Sequence, residues 1–168
     1  MLTLRHLSYT ITTNDVIRER RQVSGQLVFD LLGGKRAIGT AVERELDFDE
    51  EIKRGFRSQV FVSFKANTRL PNSVLSRILG VSARTIDRLV VVKGAPRIKP
   101  SVSDRLYRTA KIVALAEEVF EDRDQALRWL SSKQKGLGDR MPFDLIETEA
   151  GTREVEEELQ RIEHGFVA

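Results

Sequence analysis

The stretch Leu75-Ser76-Arg77-Ile78-Leu79-Gly80-Val81-Ser82-Ala83-Arg84-Thr85-Ile86-Asp87-Arg88-Leu89 decides the reading of this chain. Its apolar residues fall at Leu75, Leu79, Val81, Ile86 and Leu89, and a glycine separates the two halves. Residues four apart are neighbours on a helix, so Leu75 and Leu79 share one face. Gly80 can stop that helix in a left-handed conformation at little cost. Ser82 then offers a hydroxyl to the free amides of a second helix. Ile86 and Leu89 turn the second helix back onto the first. The pattern predicts two short helices packed across a tight turn.

Ala83, Arg84, Asp87 and Arg88 are left on the outer side of the second helix. In a helix-turn-helix these early, outward positions enter the major groove. Arg84 and Arg88 are candidates for reading guanine edges. Arg77, Thr85 and Lys93 are candidates for holding phosphates. Ser82 and Asp87 complete the expected DNA-binding set. An ordinary helical hairpin with a polar outer face would look similar, but spacing, turn glycine and cap agree here.

The 168 residues carry a net charge of only +3, unevenly distributed. From Arg57 to Lys111 twelve Lys and Arg face two acids, Asp87 and Asp104, a net of +10. From Asp139 to Ala168 nine acids face three arginines, a net of −6. A phosphate-binding surface belongs in the basic segment. The acidic segment would be repelled by DNA and should face another partner.

The remaining composition excludes several classes. The absence of cysteine removes disulfides, zinc-thiolate sites and thiol catalysis. No segment approaches the roughly 18 apolar residues of a membrane span, and the first residues lack the apolar run of an export signal. The expectation is a cytoplasmic protein that does not engage membranes. The two histidines, His6 and His164, lie far apart, and no His-Glu-x-x-His or three-glycine dinucleotide motif occurs. Gly33-Gly34-Lys35 fails as a phosphate loop, because the earlier glycine and the following Ser or Thr are missing. No catalytic residue, metal site or cofactor is expected.

Outward from the central pair, residues 1–12 read as an arm. From Asn14, a cap candidate, Val16, Ile17, Leu27, Val28, Leu31 and Leu32 predict one or two helices ending at Gly33-Gly34. Residues 35–47 read as a linker. Asp47 is a cap for a helix through Phe48, Ile52 and Phe56, broken by Gly55 and Arg57. Val60-Phe61-Val62-Ser63-Phe64, taken alone, reads as a strand. Pro71 marks the start of the first helix of the pair. Val90 to Pro100 reads as irregular and as the boundary between two modules.

After that boundary Ser103 is expected to cap a helix whose stripe is Leu106, Ala110, Val113, Ala114, Leu115, Ala116 and Phe120. A second helix carries Ala126, Leu127, Trp129 and Leu130, with Trp129 read as core. A loop over residues 133–142 and a short helix from Phe143 to Ile146 follow. Thr148 opens the last element, with Gly151 as a turn and Val155, Leu159 and Ile162 as the apolar face. Glu154, Glu156, Glu157 and Glu158 line its other sides.

Ser103-Asp104-Arg105-Leu106-x-Arg108, Ala126-Leu127-x-Trp129-Leu130, Leu137-Gly138-x-x-x-Pro142-x-x-Leu145-Ile146-x-Thr148-x-x-Gly151 and Val155-x-x-x-Leu159-x-x-Ile162-x-x-Gly165 form an ordered set. It resembles the C-terminal toxin-binding domain of Xre/MbcA/ParS-type antitoxins. The region from about Gly33, including the helix pair, resembles the Xre-like N-terminal domain of the same antitoxins. One departure is Ser132-Lys133-Gln134, where family members often carry a Pro-Asn turn.

The resemblance implies an all-α fold: an Xre-like helix-turn-helix domain over residues 33–99, then a small helical toxin-binding domain over residues 100–168, with residues 1–32 unassigned. It implies a type II antitoxin whose partner is a RES-domain toxin that consumes NAD⁺ or uses it as an ADP-ribose donor. Such antitoxins cover the toxin's active-site entrance with the C-terminal domain and bind their own operator as homodimers within a larger complex. Carried onto this chain, the toxin-facing residues are Gly151, Arg153, Glu157, His164, Gly165 and Phe166. Trp129, Leu130, Leu137, Pro142, Leu145, Val155, Leu159 and Ile162 are the domain-core positions. The competing reading from residues alone is a stand-alone helix-turn-helix regulator whose C-terminal module binds a different protein or itself.

Overall fold

The computed structural model describes residues 25–39, 45–91 and 96–165. The expectations for the arm, the Asn14 cap, Lys93 and Phe166 lie outside the described residues. Every named element is helical. Among the described residues strand pairing reduces to two isolated bridges, Arg57–Arg97 and Gln134–Arg140. The all-α expectation therefore holds.

In chain order, helical residues 25–31 (α1) end at a turn through Gly33. They are followed by α2 (Gly34–Ile38), α3 (Glu45–Arg54), α4 (Ser58–Thr68), α5 (Asn72–Leu79) and α6 (Ala83–Val91). Then come α7 (Pro100–Phe120), α8 (Arg123–Leu130), a 3₁₀ turn (Lys135–Leu137), α9 (Pro142–Leu145) and α10 (Glu149–Glu163).

Three local expectations are corrected by packing. Val60-Phe61-Val62-Ser63-Phe64 is helical, within α4, and not a strand. Strand preference spans only about 1 kcal/mol, whereas burying a Val or Phe side chain is worth about 1.5–3 kcal/mol. Val60, Phe61, Phe64 and Thr68 are all buried, at helical spacing, so tertiary packing wins. Residues 35–38, read as the start of a linker, belong to α2, because Ala37 and Ile38 insert into the core. The third helix begins at Glu45, ahead of the expected Asp47 cap, and ends before Phe56.

The long helix α7, about 30 Å at 1.5 Å per residue, is the spine. It packs against α3, α5, α8 and α10. Leu106, Ala110, Val113 and Ala114 are fully buried between them. The buried side chains form one continuous cluster from Val28 to Leu159. The border placed at residues 99 and 100 falls at the start of this spine, where Ile98 is already buried and its amide bonds the Phe56 carbonyl at 2.7 Å.

Ser103 does not cap α7, which starts at Pro100 with Lys99 as its cap residue. Its buried hydroxyl instead donates to the Lys99 carbonyl at 3.1 Å and accepts the Phe56 amide at 2.8 Å. The serine therefore ties the chain before α4 to the first turn of α7. Nor is α6 over at Leu89, since it continues through Val91.

Candidate functional site

The helix pair is built as its spacing predicts. Gly80 sits at φ 61°, ψ 41°, its amide bonding the Arg77 carbonyl at 3.1 Å, while the Val81 amide bonds Ser76 at 3.0 Å. This paired closure satisfies the last carbonyls of α5 and sets the turn. The Ser76 hydroxyl adds a bond to the Val81 carbonyl. Ser82 Oγ accepts the Thr85 amide at 3.2 Å and lies 3.0 Å from Thr85 Oγ1, which links the two side chains at the entrance to α6. Ile86 and Leu89 are buried against α4 and α5.

The opposite face of α6 is open. Arg84, Thr85, Asp87, Arg88 and Val91 line one shallow groove, and Ala83, Arg84, Asp87 and Arg88 are exposed. Arg84 and Arg88, one helical turn apart, have no ion-pair partner among the described residues, so both guanidinium groups can meet phosphates or base edges.

Asp87 is held: Asn72 Nδ2 donates to its Oδ1 at 3.1 Å, and Lys65 Nζ donates to Asn72 Oδ1 at 2.5 Å. Neither Asn72 nor Lys65 was legible from the sequence as part of this surface. They lie seven residues apart on different helices and meet only through the fold.

Arg77 does not join the open face. Its Nη2 lies 2.6 Å from Asp144 Oδ1, with Glu147 Oε1 at 3.8 Å from its Nε, tying α5 to the corner between α9 and α10. A second arginine does related work: Arg105 on α7 donates to the Leu79 carbonyl at 3.0 Å and closes over Gly80. Cations suit this carboxyl end of α5. The Ser103-Asp104-Arg105-Leu106 run thus acquires a physical account. Ser103 pins α7 to Phe56, Asp104 pairs with Arg108 at 3.0 Å, Arg105 caps α5, and Leu106 fills the core.

The C-terminal module is assembled around α10. Thr148 caps it, its hydroxyl accepting the Gly151 amide at 3.1 Å. Gly151 is not a turn preceding the helix but a buried residue in its first turn. A Cβ there would overlap the Leu145 carbonyl oxygen, so the glycine allows α9 and α10 to touch backbone to backbone. Buried in this way, Gly151 cannot itself present a toxin-facing surface.

Leu130, Leu137, Pro142, Leu145, Val155 and Leu159 are buried. Trp129 is half-buried against Phe120, ring centroids 5.8 Å apart. Ile162, expected in the core, is 38% exposed. In place of the Pro-Asn turn, Gln134 Nε2 donates to the Trp129 carbonyl at 2.9 Å and to Ser132 Oγ at 2.9 Å, closing the end of α8.

Arg153, Glu157, His164 and Gly165 are exposed. Arg153, Glu157 and His164 follow one another at spacings of four and seven, which puts them on one stripe. Arg153 pairs with Glu149 at 2.5 Å and Arg161 with Glu158 at 2.8 Å. Glu156 and Glu157 have no ion-pair partner among the described residues, so the surplus charge of this helix is negative. No group of three or more metal-ligating side chains occurs among the described residues, and no described helix is long and apolar enough to cross a membrane.

Comparison with known proteins places both modules. Residues 47–111 match the antitoxin Xre-like helix-turn-helix domain, and residues 115–165 match the antitoxin Xre/MbcA/ParS C-terminal toxin-binding domain. The two matches meet inside α7. An antitoxin Xre of Yersinia enterocolitica is 34% identical over 131 residues, covering 77% of this chain and 87% of that protein. One of Pseudomonas putida is 42% identical over 64 residues, 38% of this chain and 40% of that protein. One of Photorhabdus laumondii is 32% identical over 93 residues, 55% of this chain and 62% of that protein. With a helix-turn-helix on one side of α7 and a toxin-binding domain on the other, the chain belongs to the Xre/MbcA/ParS-type antitoxins.

Proposed function

We propose that this antitoxin is of type II and neutralises a RES-domain toxin that consumes NAD⁺, by covering the toxin's active-site entrance with its C-terminal domain. The observation that carries this reading is the outer stripe of α10. Within the region that matches the toxin-binding domain, Arg153, Glu157 and His164 stand exposed on one line leading to the tail, and the carboxylates of Glu157 and its neighbour Glu156 are unbalanced. A toxin that admits an anionic dinucleotide presents a positive entrance, and an acidic helix complements it. Arg153, Glu157, His164 and Gly165 are the proposed contacts from the described residues, and Phe166 follows them in the sequence.

The same chain represses its own operon in this proposal, with Arg84 and Arg88 reading bases. Thr85 holds a phosphate, but Arg77, engaged with Asp144 and Glu147, does not. A palindromic operator requires a homodimer whose two reading helices lie about 34–36 Å apart. Val90 and Val91, 43% and 76% exposed at the end of α6, offer apolar surface next to the reader for such pairing.

The experiment is expression of the gene adjacent to this one, alone and together with this chain. The proposal expects toxicity with a fall in cellular NAD⁺ from the neighbour alone, and recovery of both on co-expression. A toxic neighbour that neither lowers NAD⁺ nor transfers ADP-ribose from it would overturn the RES assignment.

A further inference from the structure

Asp87 is an anomaly on a surface that meets phosphates. It sits on α6 between Arg84 and Arg88 and lines the same groove as both. A carboxylate there repels DNA and weakens the electrostatic part of binding. It is also a placed carboxylate. Asn72, at the first position of α5, holds Oδ1 at 3.1 Å, and Lys65 from α4 holds the Asn72 side-chain carbonyl oxygen at 2.5 Å. The relay fixes the asparagine amide so that its nitrogen faces Asp87. Among the described residues Oδ2 has no hydrogen-bond partner. A side chain that serves only to link two helices has no need to lie on the outer stripe of the second one.

We infer that Asp87, positioned by the Lys65–Asn72 relay, is a specificity-determining residue that accepts a hydrogen bond from a cytosine amino group in the major groove. The inference rests on the DNA-reading role proposed for α6. Its chemistry is selective in both directions. An ionised carboxylate is acceptor-only, so it pairs with the exocyclic amine of cytosine and is repelled by the two acceptors that guanine presents. Arg84 and Arg88 have the opposite preference. The face as a whole then reads a mixed guanine and cytosine pattern, and Asp87 lowers affinity most where its position offers no amino donor; adenine, which sets its N7 acceptor beside its amine, is a weaker partner than cytosine.

This predicts an unusual phenotype: removing the side chain strengthens binding in general while erasing one base preference. The test is selection from a pool of duplexes with a randomised 24-base-pair core, using the full chain, followed by titration against one unrelated duplex. The wild type should enrich a C·G pair at one fixed position of each half-site, by about tenfold. Asp87→Ala should lose that preference, keep those lost on Arg84→Ala, and bind the unrelated duplex about threefold to tenfold more tightly. Asn72→Ala, which frees the carboxylate without removing its charge, should blur the preference without the gain in general affinity.

Asp87→Ala retaining every base preference, or losing affinity equally on all duplexes while its thermal melting falls, would overturn the inference. If the Arg84→Ala variant loses its preferences while Asp87→Ala changes nothing, the reading of α6 survives and the role of Asp87 falls. If the wild type enriches no sequence at all, the DNA-reading role itself is overturned, and this inference with it.

Discussion

Two helices of this antitoxin, α6 and α10, dispose of charge in opposite ways. On α6 the cations are left over: Arg84 and Arg88 project without ion-pair partners among the described residues, and the one acid is held by an asparagine. On α10 the cations are used up: Arg153 and Arg161 each pair within the helix, and Glu156 and Glu157 remain. Solvated pairs of this kind are worth little energy, typically below about 1 kcal/mol. Their consequence is therefore the sign of what stays unbalanced. In the proposed function each face is sorted for a partner of opposite charge; α5, which carries α6, and α10 both pack on the spine α7.

The comparison breaks first where the second face depends on a backbone contact. Gly151→Val places a branched side chain against the Leu145 carbonyl and should cost about 3 kcal/mol, the upper end of what overpacking typically costs. Thermal unfolding should shift down by about 10 °C. Toxin neutralisation should fail with it. Next, Arg105→Ala removes a charged donor from the carboxyl end of α5 and should cost about 1.5–3 kcal/mol. Because that end sets the turn at Gly80, operator affinity should fall more than toxin affinity, as titration of both would show.

Thr148→Ala removes the cap of α10 and should cost about 1 kcal/mol in denaturant unfolding. The smallest stability effect belongs to Arg77→Ala. Its pair with Asp144 is 44% and 35% exposed, so the loss should stay below about 1 kcal/mol and shrink further in high salt. If Arg77→Ala instead abolishes operator binding while stability is unchanged, Arg77 reaches phosphates and the two faces are not cleanly separated.

How much of this was legible in the sequence follows from the range of the forces involved. The helix pair was readable because its signals are local: Gly80, Ser82 and the spacing of Leu75, Leu79, Ile86 and Leu89 lie within fifteen residues. The strand reading of residues 60–64 failed for the complementary reason. Their preference is local, but their burial beneath α2 and α6 is not. Gly151 and Ser103 were both assigned to helix ends, where glycine and serine are common. Their actual partners, Leu145 and Phe56, are invisible to spacing.

At the candidate sites, sequence picked the exposed arginines of α6 and the exposed stripe of α10. It did not foresee the pairing of Arg77 with Asp144, because nothing local announces a carboxylate sixty-seven residues away. Lys65 and Asn72 were missed for the same reason. The family motif carried information that periodicity did not, and Arg105 shows what one of its residues is for.

The most direct test of the central claim, that neutralisation belongs to the acidic last helix and its tail while the basic helix pair serves DNA, is deletion of Glu163 to Ala168. The deletion removes His164, Gly165 and Phe166 and leaves α6 untouched. Toxicity of the co-expressed partner and operator affinity should be measured on the same variant. The account predicts that toxicity returns while operator affinity stays within about twofold, an energetic change of roughly 0.4 kcal/mol. Full neutralisation by the shortened chain would contradict it.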